Sequence, residues 1–256
     1  MSYVNCRRND RIVTLSLNRP EKRNAVNREA LEELGGLCEE LRRDLDVRVV
    51  LLRGEGGCFC AGADLTQIGA SDEKALRRFH DAREHTFSLI EALSCPTVAV
   101  IEGFALGTGL EMALCTDFRL AAEEAFLGVP SSRLGIVESY GYLNRLVKAV
   151  GPARANFLVF TGARLSAGEA RQIGLVEKVF AGEALEEELR ALADGLAGNA
   201  AQAIRGSKQV IRECAADPRL EGVDDPARPM IDSLGGREMQ EGTRAFIEKR
   251  RAKFDP

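Results

Sequence analysis

Ile101–Asp117 reads IEGFALGTGLEMALCTD. Its start closes an apolar run, CPTVAVIEGFAL, rich in β-branched residues and read as one buried strand. Gly107, Thr108 and Gly109 interrupt the run, and LEMALCTDFRLAAEE takes up helical spacing directly after them. A glycine-rich turn that opens a helix leaves first-turn N–H groups without intrahelical partners. Such donors suit developing negative charge. Glu111 falls in the first turn, so a carboxylate stands beside them, which chemistry through an oxyanion requires. The same carboxylate would also serve simply to complement the helix dipole, and the glycines to make a tight turn. The stretch alone leaves both readings open.

Toward the N-terminus, SDEKALRRFHDAREHTFSLIEAL has the spacing of a long amphipathic helix. It carries His80 and His85, read as solvated face residues. GEGGCFCAG, Gly54–Gly62, is a second glycine-rich loop, followed by Ala63, Asp64 and Leu65. Val47–Arg53, VRVVLLR, reads as a buried strand, and Arg11–Asn18, RIVTLSLN, alternates as a strand does. Asn18-Arg19-Pro20 marks a turn, and Asn27 stands where it caps the helix REALEELGGLCEELRRDLD. Toward the C-terminus, Ala125–Pro130 reads as a short strand and turn, Ser131–Tyr142 as a loop, and Leu143 onward as a helix ended by Gly151-Pro152. Ser166 with Glu169 has capping-box spacing, and Gly174–Phe180 makes a last short strand. From Ala184 the pattern is helical, with too little apolar mass to stand alone. Alternating strands and helices give an α/β class. Periodicity does not separate a doubly wound parallel sheet from other α/β arrangements.

At 256 residues the chain can bury one sizeable core. A net charge of −4 gives no basic excess for nucleic acid or anionic membrane, and no apolar run is long enough to span a bilayer. The N-terminus has no apolar signal-peptide core. Seven scattered cysteines fit free thiols in a reducing, cytoplasmic setting. With two histidines and no Cys/His cluster at ligand spacing, no metal is expected.

Five segments in order, NRPEKRNAVN, CFCAGADL, PTVAVIEGFALGTGLEMALCTDFRLAAEEAFLGVP, TGARLSAGEARQIGLVEKVF and EGTRAFIEKRRAKF, resemble the crotonase superfamily, the enoyl-CoA hydratase/isomerase family. The resemblance implies an α/β fold with a ββα spiral core, placed at residues 1–192. It also implies a C-terminal helical region, residues 193–256, that builds homotrimers, sometimes paired into hexamers. It implies an acyl-CoA substrate, with coenzyme A as part of the thioester and no permanently bound cofactor, and a place in fatty acid metabolism. The backbone N–H groups of Ala63 and Thr108 would hold the thioester oxygen as an oxyanion hole; the family usually has glycine at the Thr108 position. Lys22, Arg23 and Ala25 would contact the CoA nucleotide and pantetheine, with Ala61, Asp64 and Leu65 along that path. Lys253 would reach a CoA phosphate.

Glu111 matches the first glutamate of the hydratases. The second should follow Pro130, where this chain has Ser131. A serine hydroxyl is far too weak an acid to replace that carboxylate as a proton carrier. Glu138, Ser139 and Tyr140 lie in the loop beyond. Some isomerases of the superfamily carry their acid at the position of Ser139, and a methylmalonyl-CoA-decarboxylase-like branch has tyrosine at that of Glu138. Expected, then, are catalytic roles for Glu111 and Glu138, and substrate contacts from Ser131, Ser139 and Tyr140. Enoyl-CoA hydration or double-bond isomerisation leads. Decarboxylation and a non-catalytic CoA-binding scaffold are the alternatives.

Overall fold

The computed structural model describes residues 2–68 and 72–254. Its strands are β1 (Val4–Asn9), β2 (Ile12–Leu17), β3 (Val49–Gly54), β4 (Thr97–Ile101), β5 (Phe104–Leu106), β6 (Phe118–Ala122), β7 (Phe126–Gly128), β8 (Arg164–Ser166) and β9 (Lys178–Phe180). Its helices are α1 (Arg28–Arg43), α2 (Leu65–Ile68), α3 (Glu73–Glu91), α4 (Thr108–Leu114), α5 (Tyr140–Val150), α6 (Pro152–Thr161), α7 (Ala167–Gln172), α8 (Gly182–Ala197), α9 (Ala201–Ala216), α10 (Arg228–Leu234) and α11 (Arg237–Ile247).

One six-stranded sheet has the order β1-β2-β3-β4-β6-β9, parallel except for the β1–β2 hairpin. The order never reverses, so this is not a doubly wound sheet with a switch point. A smaller sheet runs β5-β7-β8, and isolated bridges Cys60–Ala105 and Val26–Ala63 continue its direction. Each turn of chain therefore lays a strand in the large sheet, then an extended piece in the small one, then a helix. That is the ββα spiral which the resemblance implies.

Both faces of the large sheet are covered. Along β3, Val50 and Leu52 face a core with α1, α3, α4 and α5, while Val49 and Leu51 face Leu185, Leu189 and Ala193 of α8. This is the period-2 alternation of a strand buried on both sides. The boundary expected between residues 192 and 193 falls inside α8. Beyond it, Lys208 of α9 donates to the Cys95 carbonyl at 2.7 Å and to Asp117 at 2.5 Å, tying that helix to the starts of β4 and β6.

Three sequence expectations are corrected. LEMALCTDFRLAAEE is not one helix: α4 ends at Leu114, the Thr116 hydroxyl donates to the Ala113 and Phe118 carbonyls at the turn, and Phe118–Ala122 is β6, paired with β4 and β9 in the large sheet. The run CPTVAVIEGFAL is two strands in two sheets, broken at Glu102-Gly103. Gly103 has φ +58°, and a Cβ there would lie 2.7 Å from the Gly57 carbonyl oxygen, so only glycine lets the chain cross between sheets at this point. Ser131–Tyr142 is not all loop. A 3-10 turn spans Pro130–Leu134, and α5 begins at Tyr140, capped by the Ser139 hydroxyl on the Tyr142 N–H at 3.2 Å. By contrast, Asn27 caps α1 through the Ala30 N–H at 3.0 Å, and Ser166 with Glu169 forms the capping box. The sequence predicts the long helix from Ser71, which lies outside the described residues; α3 runs from Glu73.

Candidate active site

Ala63 and Thr108 sit on neighbouring turns of the spiral. Val26 donates to the Gly62 carbonyl and Asp64 donates to that of Val26, both at 2.8 Å, which leaves the Ala63 N–H out of the pairing. Thr108 is the first residue of α4, so its N–H is one of the helix's unpartnered donors. Close backbone contact joins the two turns. A Cβ on Gly109 would meet the Cys60 carbonyl oxygen at 2.3 Å, so any side chain there would wedge them apart.

The expected CoA loop is held from below by Asn24, which has φ +56° and is buried. Its Oδ1 accepts from the Arg19 N–H at 2.8 Å, and its Nδ2 donates to the carbonyls of Glu55 and Cys58. Arg23 lies over the Phe104 ring at 5.5 Å. Ala61 donates its N–H to the Arg23 carbonyl at 3.0 Å, and Ala25 is half-buried beside it. Asp64 is buried, and its carboxylate accepts from Thr66 Oγ1 at 2.6 Å, Lys22 Nζ at 2.9 Å and Arg19 Nη2 at 3.0 Å. The Thr66 bond, followed by those from Lys22 and Arg19, outweighs desolvation and holds this carboxyl well below the usual range. Asp64 thus anchors the basic loop, while Leu65 is exposed.

Glu111 is fully buried. Its Oε1 accepts from Arg145 Nη1 at 3.1 Å, and its Oε2 faces Arg83 Nε at 3.5 Å without hydrogen-bond geometry. Arg145 also bonds Glu84 at 3.1 Å and grips Glu91 with two nitrogens, at 2.9 and 3.1 Å. Two guanidiniums therefore serve three carboxylates, leaving one negative charge too many if all three ionise. Burial pushes the Glu111 carboxyl up to about 8; Arg83 and Arg145 oppose the shift, and Glu84 and Glu138 add to it. For Arg145, desolvation is overcome by the Glu91 hydrogen bonds and the surrounding negative groups, and its guanidinium is held above its ordinary value.

Ser131 is buried, and its hydroxyl donates to the carboxylate of half-buried Glu138. Ser139 caps α5 and donates to Glu84 at 3.1 Å. Tyr140, expected at the substrate, is 97% exposed, whereas Tyr142 is fully buried. Lys253 is exposed and donates its backbone N–H to Glu241 at 2.8 Å.

Arg83, Glu84, Glu91, Tyr142 and Arg145 were not anticipated from the sequence. A signal existed: Arg83 is in phase with Phe87 and Ile90, and Arg145 with Tyr142 and Leu146, so each charge sits in an apolar stripe. No group of three or more His, Cys, Asp or Glu able to hold a metal occurs among the described residues.

The enoyl-CoA hydratase/isomerase family profile matches residues 7–256. A crotonyl-CoA hydratase from Syntrophomonas wolfei is 35% identical over 99% of this chain and 99% of its own. The 2,3-dehydroadipyl-CoA hydratase of Escherichia coli is 33% identical over the same shares. The crystal structure of an enoyl-CoA hydratase from Bacillus anthracis superposes with a TM-score of 0.93 at 34% identity, covering 99% of this chain and 100% of that one. Profile, relatives and superposition agree over nearly the whole length: the chain belongs to the enoyl-CoA hydratase/isomerase family of the crotonase superfamily and is an enzyme of that type.

Proposed function

We propose that the chain adds water to an enoyl-CoA or shifts its double bond, using Glu111 and Glu138 as the carboxyl pair. The observation that carries this is the hydrogen bond from Ser131 to Glu138. The residue that replaces the expected glutamate is the one that binds a carboxylate from the next loop. A carboxyl group is thus returned to the missing place, seven residues later in sequence.

In this reading the thioester oxygen lies between the N–H groups of Ala63 and Thr108. Water attacks the β-carbon and gives a proton to Glu138. The π electron pair moves toward the thioester, whose oxygen takes up negative charge. The enolate then recovers its carbonyl by taking the proton of Glu111 at the α-carbon. A carboxyl pushed up to about 8 still carries that proton at neutral pH. Two preorganised donors favour the enolate over the ground state, and losing one typically costs roughly 3–4 kcal/mol. Isomerisation uses the same enolate, with a γ-proton taken and an α-proton returned. Glu111 is closed off from solvent, so acyl binding must part the elements that cover it.

The loop at Lys22 and Arg23 takes the CoA nucleotide, with Ala25, Ala61, Asp64 and Leu65 along the path and Lys253 at a phosphate. The C-terminal helices join copies of the chain into trimers or pairs of trimers. Support for this comes from Met230, Ile231, Leu234, Phe246 and Ile247, large apolar residues all more than half exposed. A cytoplasmic setting fits the seven free cysteines. Among the described residues no helix is long and apolar enough to cross a membrane.

A panel of acyl-CoA thioesters followed by mass spectrometry tests the reading. Gain of water or unchanged mass with altered retention supports it. Loss of carbon dioxide points to the decarboxylase, and binding without turnover to the scaffold.

A further inference from the structure

The loop that carries Glu138 is exposed over residues 132–137, and Tyr140 just beyond is exposed too. Chain with so little buried contact opens readily unless its ends are held. The near end is held by Ser131, whose hydroxyl donates to Glu138 and whose carbonyl accepts from the Ile136 N–H at 3.0 Å. The far end is held by Glu84 of α3. Its Oε1 accepts from the hydroxyl of Ser139, the residue next to Glu138, at 3.1 Å. Gly141 stands in the first turn of α5, and a Cβ there would lie 2.5 Å from Glu84 Oε2 and 2.9 Å from Oε1. Gly141 is not in the left-handed region, so a side chain there would break this approach rather than strain the backbone. The turn therefore rests directly on the carboxylate, and a helix N-terminus suits an anion.

The same carboxylate reaches Glu111 through one nitrogen. Arg145 Nη1 donates to Glu84 Oε2 and to Glu111 Oε1, both at 3.1 Å, and its two hydrogens allow one for each. Glu84 itself stands on a firm support. The Thr86 hydroxyl pins α3 to the Leu31 carbonyl at 2.8 Å, and Phe87 and Ile90 lie in the core. Burial opposes the Glu84 charge, but Arg145, Arg83 and the Ser139 hydrogen bond outweigh it and hold this carboxyl below its ordinary value. We propose that Glu84 is a positioning residue, which seats the first turn of α5 and so fixes Glu138 relative to Glu111. This rests on the reading of Glu111 and Glu138 as the carboxyl pair and deepens it. Glu84 touches no reacting atom. Without the seat both carboxyls remain, but the loop is released, so turnover falls while the thioester still binds.

The test uses the full chain and crotonyl-CoA, or the member of the thioester panel that wild type converts fastest, with kcat taken on the plateau below the alkaline limb. Glu84→Ala should lower kcat about tenfold or more, the worth of a hydrogen bond to a charged group, with KM within about threefold. Glu84→Gln keeps an oxygen for Arg145 and an amide N–H for Ser139, and should recover most of that loss. Gly141→Ala should slow turnover to a similar extent because its Cβ displaces the carboxylate. Alanine suits a helix better than glycine, so its thermal midpoint should hold. Glu84→Ala/Gly141→Ala should be no slower than the slower single variant, since both break one contact. Wild-type kcat in Glu84→Ala or Gly141→Ala, or losses that multiply in the double variant, overturns the proposal. So does a Glu84→Gln as slow as Glu84→Ala, which would assign the effect to charge, or a fallen thermal midpoint in Gly141→Ala, which would make the contact structural. Glu138→Gln, run beside them, separates the failures. If it alone is slow, the proposal fails and the carboxyl pair stands. If it keeps wild-type turnover, or wild type converts no thioester, the reading of the pair falls and the proposal with it.

Discussion

Arg145 donates from Nη1 to Glu111 Oε1 at 3.1 Å while two of its other nitrogens clamp Glu91. The proton on Glu111 is thus set by several groups. Arg83 and Glu84 face it from α3, Arg145 and Tyr142 from α5, Glu138 from the loop before α5, and Cys115 from just past the end of α4.

The first prediction concerns that proton. Rate against pH should fall on an alkaline limb near 8, where Glu111 gives it up. Arg145→Met removes a charge that lowers the Glu111 pKa, so the limb should move up; Arg145→Lys should restore it. Glu84→Gln removes a charge that raises it, so the limb should move down. Stability follows by linkage. A carboxyl whose folded pKa is raised binds protons more tightly when folded, so stability should fall as pH rises from the ordinary carboxylate range to about 8. Denaturant midpoints of Glu111→Gln should lack that slope.

Asp64 gives the opposite sign. Its folded carboxyl is depressed, so its contribution is present at neutral pH and is lost as pH falls through and below the usual carboxylate range. Asp64→Asn should flatten the acid limb of stability. It should also free Lys22 and Arg19, and a changed KM for the thioester with kcat held is the expected kinetic sign.

Thr108 contributes its backbone N–H in this account. Thr108→Gly should keep turnover within about tenfold, roughly 1.4 kcal/mol. Thr108→Pro removes the donor and should abolish turnover in a protein that is still folded by circular dichroism. Activity in the proline variant would remove Thr108 from the oxyanion site.

Lys208 joins α9 to the Cys95 carbonyl and Asp117. Lys208→Met should cost about 2 kcal/mol in urea unfolding, because Asp117 loses a charged donor but keeps those from Thr97. A midpoint within error of wild type would mean that α9 docks without this contact.

Much of the fold was legible because local rules were followed. Asn27 and Ser166 announce helices by capping, and VRVVLLR announces a strand buried on both faces. The break at Gly103 was not legible, since Glu102-Gly103 lies inside an unbroken apolar run and only the approach of Gly57 forces the turn. The family pattern pairs Ala63 with Thr108, and the two do sit on neighbouring turns of the spiral. The arginines around Glu111 could not be placed, because nothing in the order of residues shows that α3 and α5 bring their charges to one carboxylate. Tyr142 went unnoticed beside Tyr140 for a related reason. Reading the segment as loop hid the helical phase that turns one outward and the other into the core.

Glu138, bound by Ser131, supplies the second carboxyl group in the proposed reaction. The most direct test is turnover of crotonyl-CoA by wild type, Glu138→Gln and the double variant Ser131→Glu/Glu138→Gln, read as water gain by mass spectrometry. Turnover of Glu138→Gln should fall by about 10²–10⁴ with CoA binding intact, and the double variant should recover hydration. Wild-type turnover in Glu138→Gln would contradict it.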